Sequence, residues 1–277
     1  MFQRGTRIQR IIVDVLLVVG LLISIFPFYW MIVMSTNKTG DIYSVPPKLI
    51  IGNQLWINIS HVLQSISFFQ SFFNTLIIAC SVTILVLFFC SIAGFTFAKF
   101  DFPGKNVLFV FLIGTIIIPP ASSLVAIFVI MADLHLIGTY LPEIIPNMVP
   151  AFGIFWMRQY ALSSIPTELI DAAKMDGCGH LRLYWNVALP ALRPALGFLA
   201  ITTFVFVWND YLWPLIVFNT PNLYTLQVSL AQLNGVYNTD YSMVMAGTFM
   251  ATIPLIIIFF IGARQFIANL SAGALKF

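Results

Sequence analysis

Apolar residues run along this chain in long blocks, with neither the alternation of a half-buried strand nor the one-sided stripe of a surface helix. A membrane-crossing helix needs about 20 predominantly apolar residues. Six segments qualify, at about 11–35, 71–98, 107–131, 144–162, 195–217 and 244–263. The pattern therefore predicts an all-α polytopic membrane protein with six transmembrane helices, and residues 1–277 as one membrane domain. The first block follows Arg4, Arg7 and Arg10, as a secretory leader would. It runs on to Met34 with no Ala-x-Ala site behind it, and so reads as an uncleaved first span.

Prolines punctuate these blocks. Pro27, Pro119, Pro120, Pro146, Pro150 and Pro254 lie within or at the edges of the spans, where each removes a backbone hydrogen bond and kinks its helix. Such breaks persist in lipid where they are buried in protein or line a wet cavity. Static packing kinks and a translocation path both account for them.

Composition agrees with the pattern. Hydrophobic residues make up 60% of the chain and charged residues 8%, with a mean hydropathy of +0.97. A soluble domain carries about 25% charged residues, so this chain cannot cover itself with polar groups. Its 13 Lys and Arg form no basic face, which excludes nucleic acid as a partner.

The placement of the basic residues sets orientation. Arg4, Arg7, Arg10, Lys99, Lys105, Arg158, Lys174, Arg182, Arg193, Arg264 and Lys276 fall on one side of the six spans, and only Lys38 and Lys48 on the other. The positive-inside rule puts both termini and the segment 163–190 in the cytoplasm, in a multi-pass plasma-membrane protein surrounded by lipid. Three outer segments follow, at 36–70, 132–143 and 218–243. The third is rich in Asn, Gln, Ser, Thr and Tyr with Asp240 its one charge, suited to hydrogen bonding rather than electrostatic capture.

Catalytic signatures are missing. There is no phosphate-cradling G-x-x-x-x-G-K-[ST], no G-x-S-x-G and no H-E-x-x-H. His61, His135 and His180 lie in separate segments and cannot share a metal. Cys80 and Cys90 are separated by about 15 Å along one helix, which rules out a disulfide between them. The expectation is a membrane protein that is not an enzyme and binds no metal or cofactor itself.

One cytoplasmic stretch, ELIDAAKMDGCGHLRLYWNVALP at 168–190, concentrates Glu168, Asp171, Lys174, Asp176, His180 and Arg182 in an otherwise oily chain. Pro166 suits a helix first turn, and Glu168 sits where the helix dipole favours an anion. Ala172 and Ala173 keep the helix slim, and Gly177 and Gly179 offer a left-handed stop. Residues 166–176 are thus expected to form a short helix, followed by a turn and a second helical stretch. Such a slim, charged helix is shaped for a groove on another protein, although a solvated connector has the same composition.

At the outer end of the fifth span, Trp208, Asn209, Asp210 and Trp213 combine aromatic faces with an amide and a carboxylate. An ionisable group in the membrane marks function by default, and these four could stack on and hydrogen-bond a sugar. An interfacial aromatic belt accounts for them equally well.

The run DAAKMDG at 171–177, followed by Leu189–Pro190, resembles the "EAA" loop of ABC-importer permeases, with Asp171 standing where that family carries Glu, one methylene longer. AGFTFAKFDFPGK (93–105), AFGIFWMRQYALSSIPTELIDAAKMDG (151–177), WNDYLWPL (208–215) and LSAGALKF (270–277) resemble carbohydrate-type permeases, the subfamily that includes the smaller maltose permease subunit and multiple-sugar, raffinose-type importers.

The resemblance implies a type I ABC importer permease fold and four kinds of partner. These are a second, homologous permease forming a heterodimer, two ATPase subunits holding ATP and Mg, an extracytoplasmic solute-binding protein resting on 218–243, and a carbohydrate cargo. It implies that Glu168, Asp171, Ala172, Ala173, Lys174, Asp176 and Gly177 couple to an ATPase, and that the tail Ser271, Ala272, Gly273, Ala274, Leu275 and Lys276 reaches between the ATPases.

Other readings make different demands. An ABC permease for a charged, non-sugar solute would need more charge in its path than Asp210. A stand-alone secondary transporter would need midplane carboxylates and an internal repeat, and the chain has neither. A polytopic membrane enzyme would need a catalytic constellation near an interface, and none is present.

Overall fold

A computed structural model describes residues 7–235 and 239–274, with side chains described for 9–235 and 239–262. Every regular element among them is helical. Among the described residues, four helices are long and apolar enough to cross a membrane: Gln9–Thr36, Phe68–Lys99, His180–Trp208 and Tyr241–Gly262.

The remaining two expected spans are broken helices. The segment 107–131 comprises Lys105–Thr115 and Pro120–Asp133, which meet at 95°. Pro119 and Pro120 cannot donate to the helix ladder, and a proline pushes the residue before it out of the α region. The segment 144–162 is divided into Leu141–Asn147 and Ala151–Ser164, with Pro150 capping the second. At about 1.5 Å per residue neither piece crosses a bilayer alone. The fifth span departs in the other direction. It was expected from 195, but its helix runs unbroken from His180 to Trp208, passing through a π-turn at Tyr184–Ala188. Pro190, just beyond, has no N–H to return to the 186 carbonyl, and the N–H of Leu189 reaches back to Tyr184 instead.

Contacts divide the chain into two compact units. One comprises Met1–Phe68 and Leu230–Ile253, and the other Phe69–Ser229 and Pro254–Phe277. In the first unit, residues 11–28 are exposed on every side of their helix, so their apolar faces meet lipid or another protein. The end of this helix is firmly closed. The Asn58 amide donates to the carbonyls of Ser35 and Asn37 (2.8 and 3.0 Å), and the Asn37 amide donates to Val33 and Ile50 (2.8 and 2.9 Å). These bonds satisfy acceptors that a helix C-terminus leaves open. Nearby, the backbone N–H of Lys38 and then the Lys48 ammonium hold the Asp41 carboxyl below the usual carboxylate range.

In the second unit small residues set helix spacing. A Cβ on Gly94 would lie 2.5 Å from Met157 Cβ and 2.8 Å from the Arg158 backbone nitrogen, and one on Gly153 would lie 2.8 Å from Cys90 Sγ. Helices Phe68–Lys99 and Ala151–Ser164 therefore approach backbone to backbone, as small residues allow in membranes. On its other side Ala151–Ser164 packs on Leu189–Trp208, with the Trp156 and Phe198 rings 4.5 Å apart and the Trp156 indole donating to the Ala195 carbonyl at 3.2 Å.

The outer end of Phe68–Lys99 is joined to residues 222–229. Asn74 donates to the carbonyls of Asn222 and Tyr224 (2.8 and 3.0 Å) and accepts from the Tyr140 hydroxyl (2.7 Å), and Ser71 pairs with Ser229 (2.6 Å). Gly94→Ala should lower stability by about 1–3 kcal/mol, the cost of overpacking a close contact. Gly20, whose added Cβ meets nothing within 4 Å, should accept alanine without loss. Thermal unfolding of the two variants in detergent checks the pair.

Candidate functional site

Two regions of the second unit carry groups with something to do. The first is the charged segment 163–190, expected on the cytoplasmic side. A helix spans Thr167–Met175, one residue inside the expected bounds at either end. Pro166 is its N-cap in extended conformation, and Glu168 lies in the first turn. At the other end the N–H of Cys178 reaches the carbonyl of Ala173 and the N–H of Gly177 that of Lys174, each at 3.0 Å. This double closure requires a left-handed residue, which Gly177 supplies with φ +76°. Gly179 takes no part in the stop. It has φ −68° and caps the following helix, His180–Leu183.

Burial gives this helix two faces. Ile170 and Ala173 are buried against the protein, together with Ile165 before it and Leu183 and Tyr184 after it. Tyr184 bonds the Ser91 hydroxyl at 2.7 Å, and the His180 ring lies 5.1 Å from that of Phe100, so the segment is tied to the C-terminal end of Phe68–Lys99. Glu168, Asp171, Ala172, Lys174, Asp176 and Gly177 are exposed, beside Leu169 and Met175. Lys174 and Asp171 approach to 3.9 Å with both side chains well exposed, an ion pair worth little in water. Six of the seven expected coupling residues thus share one outward surface, and Ala173 holds the helix down.

The second region lies at the opposite end of the same unit, where helices Leu141–Asn147 and Leu189–Trp208 both stop. Two cavities open there, of about 300 and 500 Å³. Val82, Pro150, Thr202 and Thr203 help to line the smaller, and Pro120, Ser123, Asp210 and Trp213 the larger; Asn147 and Phe206 line both. No Lys or Arg stands among the described residues of either wall.

The four expected pathway residues are split by the end of their helix. Trp208, on its last turn, is fully buried, with Phe72 edge-on at 5.5 Å and Phe204 stacked at 5.4 Å. Asn209 is exposed and folds back, its amide donating to the Val205 carbonyl at 2.8 Å. Asp210 and Trp213 reach the larger cavity. The Asp210 carboxylate also faces the backbone N–H groups of Trp213, Leu212 and Tyr211, and the Trp213 indole donates to the Pro142 carbonyl at 2.9 Å.

Sequence reasoning passed over Asn147, Phe206 and Glu143. Phe206 looked like one more apolar residue of a span, yet the residue is 65% exposed and lines both cavities. Glu143 is fully buried one turn before Asn147. Its signal was present, since it is an acid beside a proline at the start of an apolar run. In the tail, Ser271, Ala272, Gly273 and Ala274 end the helix Tyr241–Ala274 with side chains outside the described residues, and Leu275 and Lys276 lie outside them entirely. Among the described residues no group of His, Cys, Asp and Glu could hold a metal ion.

Residues 87–269 match the family described as binding-protein-dependent transport system inner membrane component. The chain is 32% identical over 272 residues to an arabinooligosaccharide transport system permease protein of Bacillus subtilis, covering 97% of this chain and 96% of that one. It is 33% identical over 254 residues to a lactose transport system permease protein of Rhizobium radiobacter, covering 92% of each. Its identity to an sn-glycerol-3-phosphate transport system permease protein of Yersinia enterocolitica is 28% over 264 residues, with 92% and 94% covered. Among solved structures, a chain of a bacterial ABC transporter involved in the import of the acidic polysaccharide alginate superposes with a TM-score of 0.82 at 24% identity, over 95% of this chain and 98% of that one. That likeness is one of fold.

Proposed function

The chain belongs to the binding-protein-dependent transport system inner membrane component family, and from that premise we propose that it is one of two permease subunits in an ATP-driven importer of neutral carbohydrate. In this reading a second, homologous permease completes the membrane pathway. Two ATPase subunits bind ATP and Mg in the cytoplasm, and an extracytoplasmic binding protein delivers the sugar. The chain itself binds no nucleotide and catalyses no reaction.

The observation that carries the reading is the helix Thr167–Met175. It is pinned to the protein through Ile170 and Ala173 and presents its remaining surface outward. A rigidly backed, exposed helix can transmit a push. Motion of an ATPase against it would pass through Leu183 and Tyr184 into the helices His180–Trp208 and Phe68–Lys99. The permease is then a two-state element, biased by nucleotide from one side and by loaded binding protein from the other.

The choice of cargo draws on the relatives named for arabinooligosaccharides and lactose. A relative is also named for sn-glycerol-3-phosphate. The two cavities argue against an anion here, because their described walls hold the carboxylate of Asp210 and no basic residue, and like charge in a low-dielectric path repels strongly.

The test is ATP-driven uptake into proteoliposomes that hold this chain with its co-purified permease and ATPases. Arabinotriose, lactose and sn-glycerol 3-phosphate are each supplied with the cognate binding protein. Uptake of a neutral sugar and none of the phosphate is the expected result. Uptake of glycerol phosphate alone would overturn the carbohydrate assignment.

A further inference from the structure

Glu143 is the one acidic side chain that is fully buried among the described residues. Its Oε2 has no hydrogen-bond partner. A buried carboxyl oxygen left without a partner is costly, and in a membrane protein such groups persist where they serve transport. Its other oxygen has a task. The Asn147 amide, one helical turn on, donates to Glu143 Oε1 at 3.4 Å and to the Glu143 backbone carbonyl at 2.9 Å. Both donations come from the same nitrogen. The amide is therefore clamped in one orientation, with its carbonyl oxygen directed away from the clamp.

The position of Asn147 gives that orientation a purpose. It lines both cavities and ends helix Leu141–Asn147, which breaks before Pro150. Phe206, 65% exposed, lines both as well. An oriented amide acceptor and an exposed aromatic ring on one wall are the pairing that recognises a polyhydroxylated ring, the amide oxygen accepting a hydrogen bond from a hydroxyl and the aromatic ring covering C–H groups. Asp210 is close enough to act electrostatically on Glu143, and its own carboxyl group lines the larger cavity.

We propose that Asn147, oriented by Glu143, is a cargo contact of this subunit that accepts a hydrogen bond from a hydroxyl of a neutral carbohydrate as it passes between the two cavities. Asn147 is the contact and Glu143 a positioning residue acting through it. The proposal rests on the importer reading above and adds to it a named contact.

The experiment uses the assembled importer in proteoliposomes and records two rates for each variant: uptake of arabinotriose and of lactose, and ATP hydrolysis stimulated by the loaded binding protein. In Asn147→Ala, uptake of the sugar that wild type carries should fall about tenfold, the scale of one hydrogen bond lost in a desolvated path. Stimulated ATP hydrolysis should stay within about twofold of wild type, since the cytoplasmic coupling is untouched. Glu143→Leu should behave like Asn147→Ala, and Glu143→Gln, whose amide oxygen can still accept from Asn147, should restore uptake.

If Asn147→Ala does not assemble, the near-isosteric Asn147→Leu is read in the same way. Wild-type uptake in either Asn147 variant overturns the proposal. So does a loss of uptake that merely tracks loss of assembled complex in both, because that makes the pair structural. A wild-type importer that takes up sn-glycerol 3-phosphate and neither sugar refutes the carbohydrate reading itself, a failure distinct from that of the contact.

Discussion

Replacing Ala172 with tryptophan is expected to detach the ATPases and cut uptake about 100-fold, equivalent to about 2.7 kcal/mol of lost association, while leaving the chain folded. Ala172 lies on the outward face of Thr167–Met175, between the exposed side chains of Leu169 and Met175. Exchanging alanine for tryptophan at an exposed helical site costs about 0.5 kcal/mol in propensity, and at this exposed position the indole projects into solvent rather than into the protein's interior. Inside a groove on another protein the same indole has nowhere to go, and overpacking there is paid wholly by the interface. The expected pattern is an unchanged unfolding temperature for the isolated chain, retention of the second permease on co-purification, and loss of the ATPase. Full retention of the ATPase would mean that this face is not the one engaged.

The second large effect separates two aromatic residues that lie two positions apart. Trp208→Ala should lower the stability of the detergent-solubilised protein by about 3 kcal/mol or more, because a fully enclosed indole leaves a void between Phe72 and Phe204. In a membrane this loss is one of packing contacts rather than of hydrophobic transfer. Phe206→Ala truncates a residue that is 65% exposed and lines both cavities. It should leave the unfolding midpoint nearly unchanged and reduce uptake. Thermal unfolding and uptake measured on the same two variants decide the matter. A Trp208→Ala protein that is stable but transport-dead would make that indole a pathway group after all.

The contrast shows where the amino-acid pattern was informative and where it was not. Long apolar runs have no soluble interpretation, so the helices at Gln9–Thr36, Phe68–Lys99 and Tyr241–Gly262 were legible. The cytoplasmic helix was legible almost to the residue because its ends are chemical: a proline opens it and Gly177 closes it in a left-handed turn. The start of the fifth span was not. Hydropathy reports what dissolves in lipid, whereas the second helical stretch expected after the turn, mixed in polarity over His180–Ala188, runs without a break into the span.

The cluster WNDYLWPL read as one unit, but its helix ends inside it and turns Trp208 inward while Asp210 and Trp213 face the cavity. Asn147 and Glu143 were illegible for a related reason. Their i, i+4 spacing is ordinary, and only the burial of one and the shared cavity wall of the other give them a role.

The central claim is that ATP hydrolysis, performed elsewhere, reaches these helices through Thr167–Met175. It is tested most directly by purifying the chain in mild detergent from its native membrane, intact and with residues 167–177 replaced by a flexible Gly-Ser linker, and identifying what accompanies it by mass spectrometry. A second permease and a P-loop ATPase are expected with the intact chain, and the permease without the ATPase when the helix is gone. An intact chain that purifies stable and alone, or an ATPase retained after the helix is replaced, would contradict that claim.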